Sequence, residues 1–141
     1  MKPGRILLVE DERIIAMDVK ARLEARGYEV CEMVAAGEDA IRAARMSRPD
    51  IVLMDIFLEG DMDGTEAAAR IRSELGTPVI FLSAFTDPET LRRAMEADPF
   101  GYFIKPFDEK SVHLGIEVAL RRHAFEGKLR RNHNGGGAAS K

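Results

Sequence analysis

Five short apolar runs alternate with five segments of helical period, and this alternation constrains the fold of the 141-residue chain more than any other feature. The runs are RILLVE (5–10), YEVCEMV (28–34), DIVLMD (50–55), PVIFLSA (78–84) and GYFIK (101–105). Most are continuously apolar, as expected of strands covered on both faces. Between them, 13–26 carries Ile15, Val19 and Leu23 at helical spacing and ends at Gly27. Residues 38–47 offer Ala40, Ile41 and Ala44 as an inner face, and Pro49 stops that helix. Residues 64–75 place Ala67, Ala68, Ile71 and Leu75 inward. Pro78 falls at the first position of the fourth strand, where a missing N–H does least harm. Asp87-Pro88 is an N-cap with proline at the first helical position, and Leu91, Ala94 and Met95 follow on the expected inner side. Asp108 can cap a last helix with Val112, Ile116, Ala119 and Leu120 inward. Strands and helices in alternation imply an α/β fold: a parallel sheet with right-handed crossovers and helices on both faces.

Length allows one domain with a substantial core, expected over residues 1–125, and a helix extension with a Gly-rich disordered tail or linker over 126–141. No apolar stretch approaches a membrane span, and the N-terminal run is too short for a signal peptide. The single cysteine, Cys31, is read as a small buried residue and fits a reducing cytoplasm. Residues 1–120 hold 15 Lys/Arg against 23 Asp/Glu, whereas 121–141 hold 6 against 1. A net-acidic domain is poorly suited to binding nucleic acid through phosphate contacts, so no direct nucleic-acid partner and no membrane partner are expected.

In a parallel sheet of this kind ligands bind beyond the carboxyl ends of the strands. Those ends carry Glu10-Asp11, Asp55, Ser83 and Lys105. Three carboxylates so close repel one another unless a cation is present, and a hard divalent ion such as Mg²⁺ suits them. With a lysine and a hydroxyl added, the set forms a cradle for a phosphoryl group, whose transfer needs charge neutralisation and positioning. Asp55, at the centre of the sheet edge, is the natural nucleophile. The ordinary alternative, solvated polar groups at strand ends, would suffice for any one residue but not for all at consecutive termini.

ILLVEDE, DIVLMDIFLEGDMDG, VIFLSA and GYFIKPF together resemble the four signatures of response-regulator receiver domains, over residues 5 to about 123. The resemblance implies a doubly wound, flavodoxin-like sheet of order 2-1-3-4-5. It implies that Asp55 accepts a phosphoryl group from a sensor histidine kinase or a histidine phosphotransfer protein. Asp11, Asp55 and the backbone carbonyl of Phe57 would hold Mg²⁺, with Glu10 bound directly or through water. Lys105 and Ser83 would contact the phosphoryl oxygens, and a cis Lys105–Pro106 bond is implied. Ser83 and Tyr102 match the switch pair that couples the site to an output face at 87–123, through which a homodimer is also possible. Two departures stand out: the loop from Asp55 to Gly64 is one residue longer than usual and lacks a proline, and Glu10 replaces the more frequent Asp.

Asp61 and Asp63 invite other interpretations. DMDGT fits a phosphatase signature of the haloacid-dehalogenase type, but IFLEG separates it from the strand it should follow. A calcium loop begun at Glu59 would place Arg70 where its bidentate Glu belongs. Asp63-Gly64 instead reads as a cap and turn into the next helix, and Asp61 as exposed. Phe57 and Phe85, each two residues past a site residue, are candidates to shield an aspartyl phosphate from water. Ile14 or Ile15 is expected on an exposed face near the site, as a kinase-docking patch. His113, His123 and His133 align with no strand end and are given no catalytic role. Two rival functions remain: a Mg²⁺-dependent phosphatase, which lacks a dedicated acid/base here, and an inert interaction module.

Overall fold

A computed structural model describes residues 4–84 and 87–140, with side chains through residue 129. Its strands are β1 (Arg5–Val9), β2 (Glu29–Val34), β3 (Ile51–Met54), β4 (Val79–Ser83) and β5 (Gly101–Ile104). Its helices are α1 (Arg13–Ala25), α2 (Gly37–Ser47), α3 (Gly64–Leu75), α4 (Pro88–Glu96) and α5 (Glu109–Ser140). The expected alternation is present, and every strand pairing is parallel in the order β2-β1-β3-β4-β5.

The continuous apolar runs reflect two cores, one on each face. Leu7, Val9, Val52, Met54, Val79 and Phe81 point to α2, α3 and α4, and their neighbours Ile6, Leu8, Ile51, Leu53, Ile80 and Leu82 point to α1 and α5. Strand side chains alternate with period two, so a sheet covered on both faces has no position left for a polar residue in its centre. Asp50, just before β3, closes the opposite end of the sheet, where its Oδ2 accepts from the N–H groups of Gly4 and Arg5 at 2.9 and 2.8 Å.

Helix ends follow local chemistry. Gly27 at φ 95° follows α1, and Gly76 at φ 71° ends α3, both left-handed positions that glycine occupies without strain. Asp87 Oδ1 accepts from Thr90 N at 2.8 Å, with Pro88 opening α4 as expected. Asp108 Oδ2 accepts from Ser111 N at 3.1 Å at the start of α5.

Four side chains depart from expectation. On α4 the buried positions are Thr90 and Ala94, followed by Ala97, whereas Leu91 and Met95 are 41 % and 47 % exposed. The small residues Ala94 and Ala97 join the core on that face, and the two large ones are turned outward. Cys31 is only half-buried, because β2 is an edge strand, and its thiol donates to Ile6 O at 3.4 Å. Leu75, expected inward, is half-buried at the margin of the core. The bounds of α5 run through the stretch expected as a Gly-rich tail, whose side chains, with His133, lie outside the described residues. Among the described residues, no helix is long and apolar enough to cross a membrane.

Candidate functional site

The sheet's own hydrogen bonding places the site residues. Glu10, Asp55 and Lys105 each follow the last residue of a strand, and each N–H continues the ladder by one step. Glu10 N donates to Val34 O at 3.0 Å, Asp55 N to Val9 O at 2.9 Å and Lys105 N to Ser83 O at 2.6 Å. Backbones fixed in this way bring side chains from four strands together with little freedom.

Glu10, Asp11 and Asp55 each present a carboxylate oxygen within 4.8 Å of the others. Glu10, Asp55 and Ser83 are buried and Asp11 is half-buried. Lys105 Nζ donates to Glu10 Oε1 at 2.5 Å and to Asp55 Oδ2 at 3.2 Å. The other oxygen of Asp55 accepts from Ser83 Oγ and from Phe57 N, both at 3.2 Å. Glu10 Oε2 accepts from Glu12 N at 3.1 Å. The Lys105–Pro106 peptide is cis, as the resemblance implies.

The electrostatics show a site short of positive charge. Burial pushes the Glu10 carboxyl up to about 7, and the charge of Asp55 adds to this; Lys105 and the Glu12 N–H oppose it without cancelling it. Burial alone would lower the Lys105 ammonium, but the bond to Glu10 and the charges of Asp55 and Glu10 outweigh it and hold Lys105 above its ordinary range. One ammonium among three carboxylates leaves room for further cationic charge, and an all-oxygen donor set is the kind that hard divalent ions select. The residues therefore fit a divalent cation.

The loop that follows is anchored. Ile56 and Met62 are buried, Glu59 forms a parallel bridge to Ala36, and Gly60 turns the chain at φ 88°. Met62 lies in a stretch that is polar in sequence and shows no period there, so sequence reasoning missed it as a core residue. Asp61 is exposed, as expected. Asp63 caps α3: its Oδ1 accepts from Glu66 N at 3.0 Å and Thr65 Oγ1 at 2.7 Å, and it pairs with Arg93 of α4. Burial alone would raise the Asp63 carboxyl, but these partners hold it below the ordinary range. Asp63→Ala is expected to cost about 1–2 kcal/mol, a loss readable in urea unfolding at neutral pH. Because the folded-state value is depressed, this contribution exists above the unfolded carboxylate value and disappears as pH falls through the folded one.

Tyr102 is half-buried, its ring 6.1 Å from that of Phe81, its partner in strand register. Two residues further along the same register, Ser83 faces Ile104. The Phe57 ring is 48 % exposed; Phe85 lies outside the described residues. Ile14 is 84 % exposed whereas Ile15 packs against the core, so of the two it is Ile14 that lies on the outer face; Met17, one turn on, is exposed as well. His113 is away from the site and bonds the Tyr28 hydroxyl at 3.0 Å; His123 packs edge-on to Phe100 at 6.1 Å.

Comparison with known proteins gives the same fold. The family model described as "Response regulator receiver domain" matches residues 6–117. The transcriptional regulatory protein PdtaR of Mycobacterium tuberculosis is 34 % identical over 131 residues, covering 90 % of this chain and 63 % of that protein. The DNA-binding response regulator MtrA of Mycobacterium leprae is 32 % identical over 86 % of this chain and 53 % of its own length. The chain thus spans somewhat over half of these relatives, and the DNA binding in MtrA's name is a property of that longer protein. Among solved structures, the signal receiver domain of a modulated diguanylate cyclase from Desulfovibrio desulfuricans superposes with a TM-score of 0.85 at 40 % identity, covering 89 % of this chain and 99 % of the other. A CheY-like receiver domain protein from Methanospirillum hungatei gives 0.81 at 27 % identity, with the same coverage of both chains. Parallel sheet order, acidic cluster and family match agree: the chain belongs to the response-regulator receiver domains.

Proposed function

We propose that this domain is a phosphoacceptor switch in which Asp55 takes a phosphoryl group from a phosphohistidine of a sensor histidine kinase or a histidine phosphotransfer protein. The observation that carries the proposal is the pairing of Asp55 with Lys105 and Ser83 beside Glu10 and Asp11. In the step, one carboxylate oxygen of Asp55 attacks phosphorus, a P–O bond forms and the P–N bond to the donor imidazole breaks. Lys105 already spans Glu10 and Asp55, so its ammonium is placed to pair with the arriving phosphoryl oxygens. Ser83, fully buried, offers its hydroxyl from the other side. Glu10, Asp11, Asp55 and the Phe57 carbonyl would hold Mg²⁺. When bound, that ion neutralises charge on the carboxylates and on the transferring group.

Phosphorylation places extra anionic charge against Ser83 and Lys105 at the ends of β4 and β5, biasing a two-state equilibrium in which Ser83 and Tyr102 rearrange. Residues 87–123 are the output face, and Leu91, Met95, Ile104, Leu114 and Val118 give it exposed apolar surface that a partner or second copy can cover. Ile14 and Met17 give the kinase a separate apolar contact beside the site. The lone cysteine and the lack of a membrane-crossing helix among the described residues support a cytoplasmic setting.

Beryllofluoride with Mg²⁺ tests the reading without turnover. One adduct per chain, lost in Asp55→Asn, is expected, and a chain that binds neither reagent is an inert module. Release of many phosphates per chain from a phosphomonoester would favour the phosphatase, although among the described residues no acid/base beyond those named sits at the strand ends. The exposed Phe57 ring is proposed to hinder the hydrolytic water, so Phe57→Asn should shorten the phosphorylated lifetime by about ten-fold, as removal of a shield worth roughly 1.4 kcal/mol. An unchanged decay rate sinks that role.

A further inference from the structure

The loop that joins Asp55 to α3 carries the Phe57 carbonyl, and it is pinned from two sides. Residues 56–63 include Gly60 at φ 88° and no proline, so their backbone has little stiffness of its own. Toward α2, Glu59 bridges Ala36, and Met62 fits against Gly37, where a Cβ would meet Met62 Cγ at 2.9 Å. Toward α4, Arg93 pairs with Asp63 Oδ2, and its Nη2 also donates to Thr65 Oγ1 at 3.0 Å. The Arg93 and Asp63 side chains are only 39 % and 32 % exposed, so solvent screens this pair less than a surface ion pair. The contact reaches the site in few steps. Asp63 precedes Gly64, whose N–H donates to Ile56 O at 2.7 Å, and Ile56 separates Asp55 from Phe57.

We infer that Arg93 of α4 is a positioning residue for the metal side of the site: through Asp63 it fixes the 56–63 loop, and with it the Phe57 carbonyl. The inference rests on the phosphoacceptor reading, which uses Glu10, Asp11, Asp55 and that carbonyl for Mg²⁺ and gives Arg93 no part. Charge alone predicts the opposite effect. A nearby cation repels Mg²⁺, so removing Arg93 would strengthen binding if the arginine acted only through its field. A positioning role makes the same removal weaken binding, because the loop then spends time with its carbonyl out of place.

The test is Mg²⁺ titration of the full chain followed by amide NMR, in wild type, Arg93→Met and Arg92→Met, with the same spectra checking the fold. Arg93→Met should bind about five-fold more weakly, short of the roughly ten- to hundred-fold lost with a direct partner of a metal ligand. Arg92→Met removes an equal charge from the same helix, where its partners are Glu89 and Glu96. It should stay within about two-fold of wild type. Without metal, the Gly64 amide should exchange about five-fold faster in Arg93→Met than in wild type, as its anchor loosens. Equal or tighter Mg²⁺ binding by Arg93→Met, an equal loss in Arg92→Met, or unchanged Gly64 exchange would overturn the positioning role alone. Wild type that binds no Mg²⁺ would overturn the phosphoacceptor reading and this role with it.

Discussion

Gly64→Ala is expected to destabilise the domain by about 3 kcal/mol or more, although Ala is the better helix former. Gly64 is the first residue of α3 and its backbone is not left-handed, so conformational freedom is not what requires it. Space is. A Cβ there would lie 2.0 Å from the carbonyl oxygen of Asp55 and 2.8 Å from the Cα of Ile56, and Gly64 N already donates to Ile56 O at 2.7 Å. Those neighbours are backbone at the end of a central strand and cannot rotate away. In an unconstrained helix the same change would stabilise by about 0.5–1 kcal/mol, so the sign of the effect distinguishes the two accounts. Urea unfolding measures it. Because the strain falls on the backbone of Asp55, modification of that residue should fall as well.

Glu10→Gln is expected to act in the opposite direction and to depend on pH. The folded-state carboxyl stands at about 7 against 4.5 for the free group, raised first by burial. Between those values the folded chain keeps a proton that the unfolded chain releases, so stability falls as pH rises through the window and stays low above it. The penalty is on the order of 3 kcal/mol by linkage. Glu10→Gln removes it, so at about pH 8 and without divalent ions the variant should unfold at higher urea than wild type, and the two should converge at about pH 4.5. Mg²⁺ should restore the wild type at the higher pH and leave the variant nearly unmoved. Parallel pH profiles for the two proteins would contradict a charge-starved Glu10.

Both effects arise from distances that no sequence pattern carries, which marks how far the sequence can be read. Element order and strand ends were legible because a parallel sheet covered on both faces admits only apolar residues along Ile51–Met54 and nearly so along Val79–Ser83. A polar residue at the end of such a run, Asp55 or Lys105, is therefore conspicuous. Asp63, Asp87 and Asp108 were legible as caps because capping is local chemistry. The rotation of α4 was not, since a hydrophobic count favours Leu91 and Met95 while the core takes in Ala94 and Ala97. Met62 was hidden because its burial depends on the Glu59–Ala36 bridge, a contact between segments distant in sequence. Gly64 read only as a turn residue, because the approach of the Asp55 backbone to it exists only in the folded chain.

The central claim is that buried carboxylates from separate strands, together with Lys105 and a divalent ion, let Asp55 carry phosphorus. Its most direct measurement is mass spectrometry of the chain after incubation with acetyl phosphate, with and without Mg²⁺, followed by mapping of the modified residue. One phosphoryl group on Asp55, dependent on Mg²⁺ and strongly reduced in Lys105→Met, is the predicted result. Modification at another residue, or none at Asp55 in a chain that remains folded and supplied with Mg²⁺, would contradict it.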